Sequence, residues 1–427
     1  MHRPLNTRDY KTLALASLGG ALEFYDFIIF VFFAAVIGDL FFPAHSEDWL
    51  RQLQTYGIFA AGYLARPLGG IIMAHFGDKF GRKRMFALSI LLMALPTLLM
   101  GLLPTYASIG PWAPILLLVL RIAQGAAIGG EVPGAWVFVA EHVPARKIGY
   151  ACGTLTAGLT GGILLGSLIA TAVNAIWSSA EVREGIWRLP FLLGGGFGLI
   201  AMYLRRWLEE TPVFTELKAR RALSAKLPLK TVLAEHKGGV ALSMALTWML
   251  SAAIVVVILM APTLLQKQFG IAPARALLAS CIATLMLSIG CVLNGILVDR
   301  FGPGRVLLIG SVLLAVFSSA FYQSLGAAPE LLFPLYGLAG LAVGVIGTVP
   351  YIMVQSFPPA VRFSGISFSY NVSYAIFGGL TPVLITLLQR WTPLAPSYYV
   401  LALCLLGFVI GLGLQVGGLR KSALKPA

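Results

Sequence analysis

The chain has 427 residues, of which 58% are hydrophobic and only 11% charged, and its mean hydropathy is +0.86. Soluble domains carry about 25% charged residues, so this composition excludes a soluble globular protein and predicts one that crosses a lipid bilayer many times. The formal net charge of +14 does not indicate a nucleic-acid partner, because most Lys and Arg residues lie in alternate loops between apolar segments. That alternation follows the positive-inside rule of membrane proteins.

Apolar segments of roughly 20 residues, the length that crosses a bilayer as a helix, recur along the chain. We place about twelve of them, at 13–42, 53–76, 85–104, 113–142, 148–175, 188–207, 239–266, 276–298, 305–325, 331–356, 363–389 and 397–418. An even number puts both ends of the chain on the side rich in Lys and Arg, the cytoplasm. The longest polar stretch, 208–238, is predicted to be a cytoplasmic linker between a six-helix bundle at 1–207 and a second at 239–427.

Two motifs occur once in each half. GDKFGRKR at 77–84 corresponds to VDRFGPGR at 298–305, each between the second and third segments of its half. The pattern Arg-x-x-Gly at 146–149 corresponds to the same pattern at 362–365, each at the start of a fifth segment. This repetition indicates a duplicated six-helix unit, an architecture that recurs in secondary transporters, which bind their substrate near the membrane midplane between two halves.

The sequence offers no signature of a cofactor or of enzyme chemistry. The four cysteines lie in apolar segments without a C-x-x-C pair, so we expect buried thiols rather than disulfides or metal ligands. A phosphate-binding Gly-rich loop is absent from the sequence, as are H-E-x-x-H and G-x-S-x-G. We therefore predict no metal, no cofactor and no enzyme activity, and ATP is not expected to supply the energy.

Several motifs resemble those of one transporter family. The stretch 74–84, AHFGDKFGRKR, resembles the signature loop of the major facilitator superfamily. More specifically, the chain resembles the metabolite:proton symporter branch of that superfamily. The stretches that carry this resemblance are ALEFYDF (21–27), YLARPLGGIIMAHFGDKFGRKR (63–84), LRIAQGAAIGGE (120–131), WRLPFLL (187–193), LEETPVF (208–214) and YNVSYAIFGG (370–379). The resemblance spans nearly the whole chain and implies an all-α fold of about twelve membrane helices in two six-helix bundles. It also implies the import, with protons, of organic acids such as citrate, 2-oxoglutarate and shikimate, or of zwitterions such as proline and betaine.

Away from the ends of the apolar segments, five charged residues lie deep in the predicted membrane core, all in the first half: Glu23, Asp26, Arg66, Arg121 and Glu131. A charge in the bilayer core costs about 2.5–3.5 kcal/mol on insertion scales, so such residues are usually paired and functional. Three acids stand against two bases, and protonation of one acid would neutralise the cluster. We therefore expect Asp26, Glu23 or Glu131 to carry the coupled proton.

Depth along the helices suggests how these charges pair. With a rise of 1.5 Å per residue, Asp26 and Arg121 reach similar levels, and Arg66 and Glu131 lie closer to the cytoplasm. We predict the ion pairs Asp26–Arg121 and Glu131–Arg66. Asp26 and Arg121 also resemble, position for position, the proton-coupling pair of related sugar:proton symporters. The alternative is that both pairs are static salt bridges.

Uncharged polar and aromatic residues are expected to complete a substrate site in which an arginine binds an anionic group through its bidentate fork. The predicted substrate-binding residues are Arg66, Arg121, Gln124, Trp248, Asn294, Tyr351, Gln355, Tyr370, Asn371 and Tyr374. Tyr370, Asn371 and Tyr374 are spaced to share one face of the eleventh segment. Gln355 departs from the family pattern, because the family usually carries an acid there. The alternative for the aromatic residues is simple packing or a place in the interfacial belt.

Loop charges are expected to form a latch that holds the cytoplasmic ends of the two halves together. The predicted latch residues are Asp78, Arg82, Arg84, Glu141, Arg146, Glu209, Asp299, Arg305 and Arg362. Asp78 is expected to face the start of the eleventh helix, where its charge would favour the helix dipole. The second-half loop is expected to be weaker, because Pro303 and Gly304 replace Arg82 and Lys83. Ordinary solvated loop charge is the alternative.

The sequence thus predicts a monomeric, proton-coupled symporter of a small anionic or zwitterionic metabolite in a bacterial inner membrane. Three alternatives remain open at this stage. The alternatives are a drug or metabolite exporter of the same fold, an importer of a larger ligand such as a siderophore, and a transporter-like receptor.

Overall fold

The computed structural model describes residues 5–70, 72, 82–205, 228–326, 328–359 and 361–416, and no β-strand occurs among them. Within these ranges, the side chains of residues 8, 82–90, 131, 204, 205 and 228 are not described. We number the helices that correspond to the twelve predicted segments α1 to α12. A helix that is divided by a turn, or by a short π-helical or 3-10 stretch, counts as one.

In the first half, α1 comprises Thr7–Phe32 and Ala34–Phe41, α2 is Asp48–Leu64 with a helical continuation at 66–70, α3 is Arg82–Leu102, α4 comprises Trp112–Ile128 and Glu131–His142, α5 is Ile148–Ile176, and α6 is Leu189–Arg205. In the second half, α7 comprises Lys237–Ala252, Ala253–Met260 and Ala261–Phe269, α8 is Pro273–Phe301, α9 is Pro303–Ser324, α10 comprises Leu332–Val343, Gly344–Gly347 and Thr348–Gln355, α11 comprises Arg362–Ser373, Tyr374–Gly378 and Gly379–Leu388, and α12 is Ala395–Val416. Short helices at Tyr106–Ile109, Ala145–Lys147, Ser179–Glu184, Ile186–Arg188, Pro228–Glu235 and Pro329–Leu331 lie in the connections.

Ten of these helices, α1 and α4 to α12, are long and apolar enough to cross a membrane. The other two, α2 and α3, border the stretch 71–81, most of which lies outside the described residues. An α-helix satisfies its backbone N–H and C=O groups internally, and for that reason it is one of the two structures that can span a bilayer. The prediction of an all-α membrane fold is confirmed.

Two helices contain a π-helical stretch in their middle. Residues 253–260 of α7 and 374–378 of α11 form π-helical stretches. Such stretches occur often at functional sites. The second of them contains Tyr374, one of the predicted substrate-binding residues.

The two halves are in direct contact along α5 and α8 and along α2 and α11. Glycines bring α5 and α8 together: a Cβ at Gly153 would lie 2.5 Å from the carbonyl oxygen of Cys291, and one at Gly295 would lie 2.5 Å from that of Gly149. Small residues allow such backbone contact, which drives helix association in lipid. A larger side chain at either glycine would force α5 and α8 apart.

The halves also touch at both ends of the bundle. At the end predicted to be extracellular, Lys267 lies 3.9 Å from Asp39, and the Arg390 guanidinium lies 4.3 Å from the ring centre of Trp49. At the opposite end, Arg362 of α11 pairs with Glu141 of α4 at 3.4 Å. The structure is therefore a closed conformation with contacts between the halves on both faces.

Candidate functional site

Arg121 on α4 is fully buried. Of its three side-chain nitrogens, Nη1 alone makes hydrogen bonds to described residues. Its Nη1 donates to the carbonyl oxygen of Phe27 at 3.0 Å and to Oε1 of Gln124 at 2.7 Å. The rings of Phe27, Phe30 and Phe59 surround the guanidinium, with centres 4.2, 4.6 and 5.4 Å from Cζ. Nε and Nη2 have no hydrogen-bond partner among the described residues. These two nitrogens form the edge that binds a carboxylate with two parallel hydrogen bonds.

Close packing of α2 on α4 fixes the position of this edge. A Cβ at Gly125 would lie 1.7 Å from the carbonyl oxygen of Gly62, so only glycine permits this helix contact. A Cβ at Gly62 would in turn lie 3.6 Å from Nε of Arg121. The unpartnered edge of the guanidinium is therefore next to α2.

The predicted ion pair between Asp26 and Arg121 is not formed. Asp26 is buried, with 2% exposure, but its carboxylate faces α6: a Cβ at Gly194 would lie 2.5 Å from Oδ1, and one at Gly198 would lie 3.7 Å from Oδ2. Oδ1 has no hydrogen-bond partner among the described residues. Depth along a helix places a residue at a level but does not give its direction, which turns by about 100° per residue. Two charged residues at the same depth can therefore point away from each other, as Asp26 and Arg121 do.

Gln124 connects the three helices around this point. Its Nε2 donates to Oγ1 of Thr97 on α3 at 2.6 Å and to the carbonyl oxygen of Asp26 on α1 at 3.3 Å, and its Oε1 accepts from Arg121. Gln124 therefore helps to fix the position of Arg121, and its predicted contact with the substrate stays a prediction. Arg121 and Gln124 both bind the backbone of α1 at Asp26 and Phe27.

Arg66 on α2 forms a second buried cation, with 1% exposure. The rings of Tyr63, Tyr370 and Tyr374 lie around its guanidinium, with centres 5.4, 5.2 and 4.8 Å from Cζ. Its Nε and Nη2 also have no hydrogen-bond partner among the described residues. The side chain of Glu131 lies outside the described residues, so the predicted pair Glu131–Arg66 stays a prediction.

The three tyrosines come from both halves of the protein. Tyr63, on α2, stacks on Tyr374 of α11 with ring centres 5.0 Å apart and planes inclined by 15°. Tyr370 contacts Tyr374 at 5.1 Å and meets Trp136 of α4 edge to face at 5.0 Å. We call Tyr63, Tyr370 and Tyr374 the tyrosine cage. Spacing alone predicted the α11 face, whereas Tyr63 was missed, although it lies three residues before Arg66.

Asn371, the third predicted residue of that face, reaches across to the first half. Its Nδ2 donates to the carbonyl oxygen of Gly129 on α4 and to Oγ of Ser367 at 3.3 Å. Oδ1 of Asn371 has no hydrogen-bond partner among the described residues. All three α11 residues thus lie at the contact between the halves.

The other predicted residues of the second half make their contacts elsewhere. Trp248 donates to the hydroxyl of Tyr399 at 2.9 Å and stacks on Phe377 at 4.1 Å. Asn294 donates to the carbonyl oxygen of Gly290 in its own helix at 2.8 Å. Tyr351 and Gln355 lie half-buried in the last part of α10. None of these four residues is among the contacts of Arg66 or Arg121 described above. Glu23, the other acid of α1 predicted to carry the proton, is buried at 3% exposure, one turn before Asp26.

At the end predicted to be cytoplasmic, Asp299 of α8 caps the start of α5. Its two carboxylate oxygens accept the N–H groups of Gly149 and Tyr150, each at 2.8 Å. A negative charge at a helix N-terminus contributes about 0.3–1 kcal/mol. Although Pro303 and Gly304 predict a weak contact for this loop, the hydrogen bonds of Asp299 are well formed.

The remaining latch residues have different outcomes. Arg362 pairs with Glu141 and also donates to the carbonyl oxygen of Val354 at 3.0 Å. Arg146 and Arg305 are exposed, and within the described part of the chain no ion pair involves either of them. Asp78 and Glu209 lie outside the described residues, as do the side chains of Arg82 and Arg84.

Asp299→Asn is expected to shift the protein toward the state that is open to the cytoplasm, by roughly two- to fivefold in the ratio of states, because the charge at the α5 N-terminus is lost. Distances between spin labels on the cytoplasmic ends of the two halves measure this shift. Arg305→Gln, a change at an exposed residue of the same motif at 298–305, is the control. An unchanged distance distribution in Asp299→Asn would contradict the role. Asp78→Asn is expected to have the larger effect, and that comparison stays a prediction.

Comparison with known proteins places this chain in a family. Residues 16–382 match the model of the Major Facilitator Superfamily, so the chain belongs to that superfamily and is a membrane transporter rather than an enzyme. Within it, the proline/betaine transporter of Salmonella typhimurium strain LT2 is 32% identical over 421 residues, which cover 95% of this chain and 83% of that protein. The proline/betaine transporter of Escherichia coli strain K12 has the same identity and coverage. The resemblance to the metabolite:proton symporter branch is confirmed.

Solved structures confirm the fold. The proton:xylose symporter XylE bound to 6-bromo-6-deoxy-D-glucose superimposes with a TM-score of 0.77 at 18% identity, covering 96% of this chain and 95% of that chain. A partially occluded inward-open conformation of XylE from Escherichia coli gives a TM-score of 0.75 at 16% identity, over 96% and 98% of the two chains. The major facilitator fold predicted from the sequence is therefore correct.

Proposed function

We propose that this protein is a proton-coupled symporter that imports a small carboxylate-bearing metabolite by alternating access. The observation that supports this most strongly is the pair of buried arginines, Arg66 and Arg121, whose Nε and Nη2 atoms have no hydrogen-bond partner among the described residues. Burying a charged group with unsatisfied donors is costly, and a substrate carboxylate supplies both the opposite charge and the acceptors. Proline and betaine, which name the bacterial relatives, both carry a carboxylate.

Asp26 is the proton carrier in this proposal. Its buried carboxylate has an oxygen without a hydrogen-bond partner among the described residues, and protonation removes the cost of holding that charge out of water. Arg121 and Gln124 bind the backbone at Phe27 and Asp26. A movement of α1 that accompanies protonation would therefore move Arg121 as well, which couples the proton to the substrate.

Alternating access requires the two halves to separate at one end while they remain in contact at the other. The contacts of Asp39 with Lys267 and of Asp299 with the start of α5 are suited to this, because each joins the halves at one end only. In our proposal the halves comprise 1–207 and 239–427, joined by a cytoplasmic linker at 208–238. The protein works as a monomer in a bacterial inner membrane with both termini in the cytoplasm.

Uptake into proteoliposomes tests the proposal. Labelled proline, glycine betaine and citrate are offered with an inward proton gradient, without one, and with a protonophore. We expect at least one of these compounds to accumulate only when the gradient is present. Gradient-independent equilibration would contradict proton coupling. Proton-driven efflux would indicate an exporter of the same fold, and uptake of none of the three would favour a larger ligand or a receptor.

A further inference from the structure

The tyrosine cage holds a cation in the structure as it stands. The centres of the three rings lie within 5.4 Å of Cζ of Arg66, and each tyrosine is at most 2% exposed. Aromatic faces attract cations through the negative charge of their π systems, most strongly where water is excluded. Since Tyr63 belongs to one half and Tyr370 and Tyr374 to the other, the cage is complete only when the halves are closed.

The tyrosine cage and the Nε and Nη2 edge of Arg66 favour ligand groups of opposite charge. The ring faces favour positive charge and repel negative charge, whereas Nε and Nη2 of Arg66, which have no hydrogen-bond partner among the described residues, favour an acceptor. A dicarboxylate satisfies the arginine but places its second negative charge near the ring faces. A zwitterion satisfies both, and because its net charge is zero, it leaves the total charge of this buried site unchanged.

We propose that the tyrosine cage is the ammonium subsite for a zwitterionic substrate, and that Arg66 is an internal cation that leaves the cage when the substrate enters. This inference rests on the proposed function and narrows it to zwitterions. The Arg66 guanidinium moves on its flexible stem to the edge of the cage, where Nε and Nη2 bind the substrate carboxylate. The four lone-pair sites of a carboxylate let it accept from the Nε and Nη2 edge of Arg121 as well. A substrate with its two charges one carbon apart requires only a short movement of Arg66.

Closure of the halves then depends on the ligand. The ammonium group contacts Tyr63 on α2 and the two tyrosines on α11 at once, so it links the halves where they already touch. A ligand stabilises the state to which it binds better. A compound without the positive charge binds the same arginine edge but lacks the contact with the rings.

A matched pair of ligands tests the inference. Glycine betaine and 3,3-dimethylbutyrate have the same shape, but the second carries a neutral carbon in place of the ammonium nitrogen. Equilibrium binding to the purified full-length protein is expected to favour glycine betaine roughly tenfold. Tyr374→Phe keeps a ring face and is expected to retain the preference, whereas Tyr374→Leu and Tyr63→Leu lose it. Phe377→Leu is the control, because that ring stacks on Trp248 instead.

The outcomes separate this inference from the proposed function. Equal affinity of the wild-type protein for the two ligands, binding of neither, or a preference that survives in both leucine variants overturns the cage. The wild-type comparison needs no variant, so a leucine variant that fails to fold leaves the test intact. Preference for glycine betaine without proton-driven uptake supports the cage and contradicts symport. Proton-driven uptake of both ligands with equal affinity contradicts the cage alone.

Discussion

Arg121→Lys is expected to weaken binding of a carboxylate substrate by roughly ten- to a hundredfold, since charged hydrogen bonds contribute about 1.5–3 kcal/mol. Lysine keeps the positive charge but has no planar fork. Its single nitrogen would be bound by the acceptors that Nη1 now binds, the carbonyl oxygen of Phe27 and Oε1 of Gln124. Of the three N–H groups of lysine, one would then remain for the substrate in place of the two parallel donors Nε and Nη2. Equilibrium binding to purified protein measures the loss.

The control for this substitution is Arg305→Lys, an exposed arginine outside the site, which is expected to bind substrate as the wild type does. Unchanged affinity in Arg121→Lys would show that Arg121 does not bind the substrate carboxylate. Arg66, whose Nε and Nη2 edge is also unpartnered among the described residues, would then bind it alone.

Asp26→Asn is expected to abolish accumulation driven by a proton gradient while substrate exchange continues. Asparagine has nearly the same shape, so it fits the space beside Gly194 and Gly198, but it cannot take up and release a proton. The α1 backbone contacts to Arg121 and Gln124 do not involve the side chain, so the substrate site is expected to persist. Uptake and counterflow in the same proteoliposomes separate the two activities.

Glu330→Gln, which neutralises an exposed acid in the connection before α10, is the control and is expected to accumulate substrate normally. Accumulation at the wild-type rate in Asp26→Asn would remove Asp26 from the coupling role. Glu23 and Glu131, the other buried-segment acids predicted from the sequence, would then be the remaining candidates.

Apolar length was sufficient to predict the helices, because the thickness of the bilayer imposes it. It was not sufficient to orient individual side chains. Asp26 and Arg121 lie at similar depth, but the Asp26 carboxylate faces the glycines of α6, which depth does not indicate. Helical spacing did predict the shared face of Tyr370, Asn371 and Tyr374, since three or four residues make one turn.

Other parts of the site required the tertiary structure. Phe27, Phe30 and Phe59 surround Arg121, but in the sequence they are indistinguishable from the other aromatic residues of apolar segments. The contact between Asp39 and Lys267 joins residues that are far apart in the chain and lie on different halves. The same is true of Asp299 and the start of α5. A sequence pattern that describes one helix at a time contains no information on such pairs.

The central claim is that substrate and proton cross together, and one measurement tests it most directly. Proteoliposomes containing a pH-sensitive dye are given an inward gradient of glycine betaine or proline, with no initial pH difference across the membrane and with the membrane potential clamped. Symport predicts that entry of the substrate acidifies the lumen, and that Asp26→Asn abolishes the acidification. Substrate entry without a pH change, or with alkalinisation of the lumen, would contradict the account.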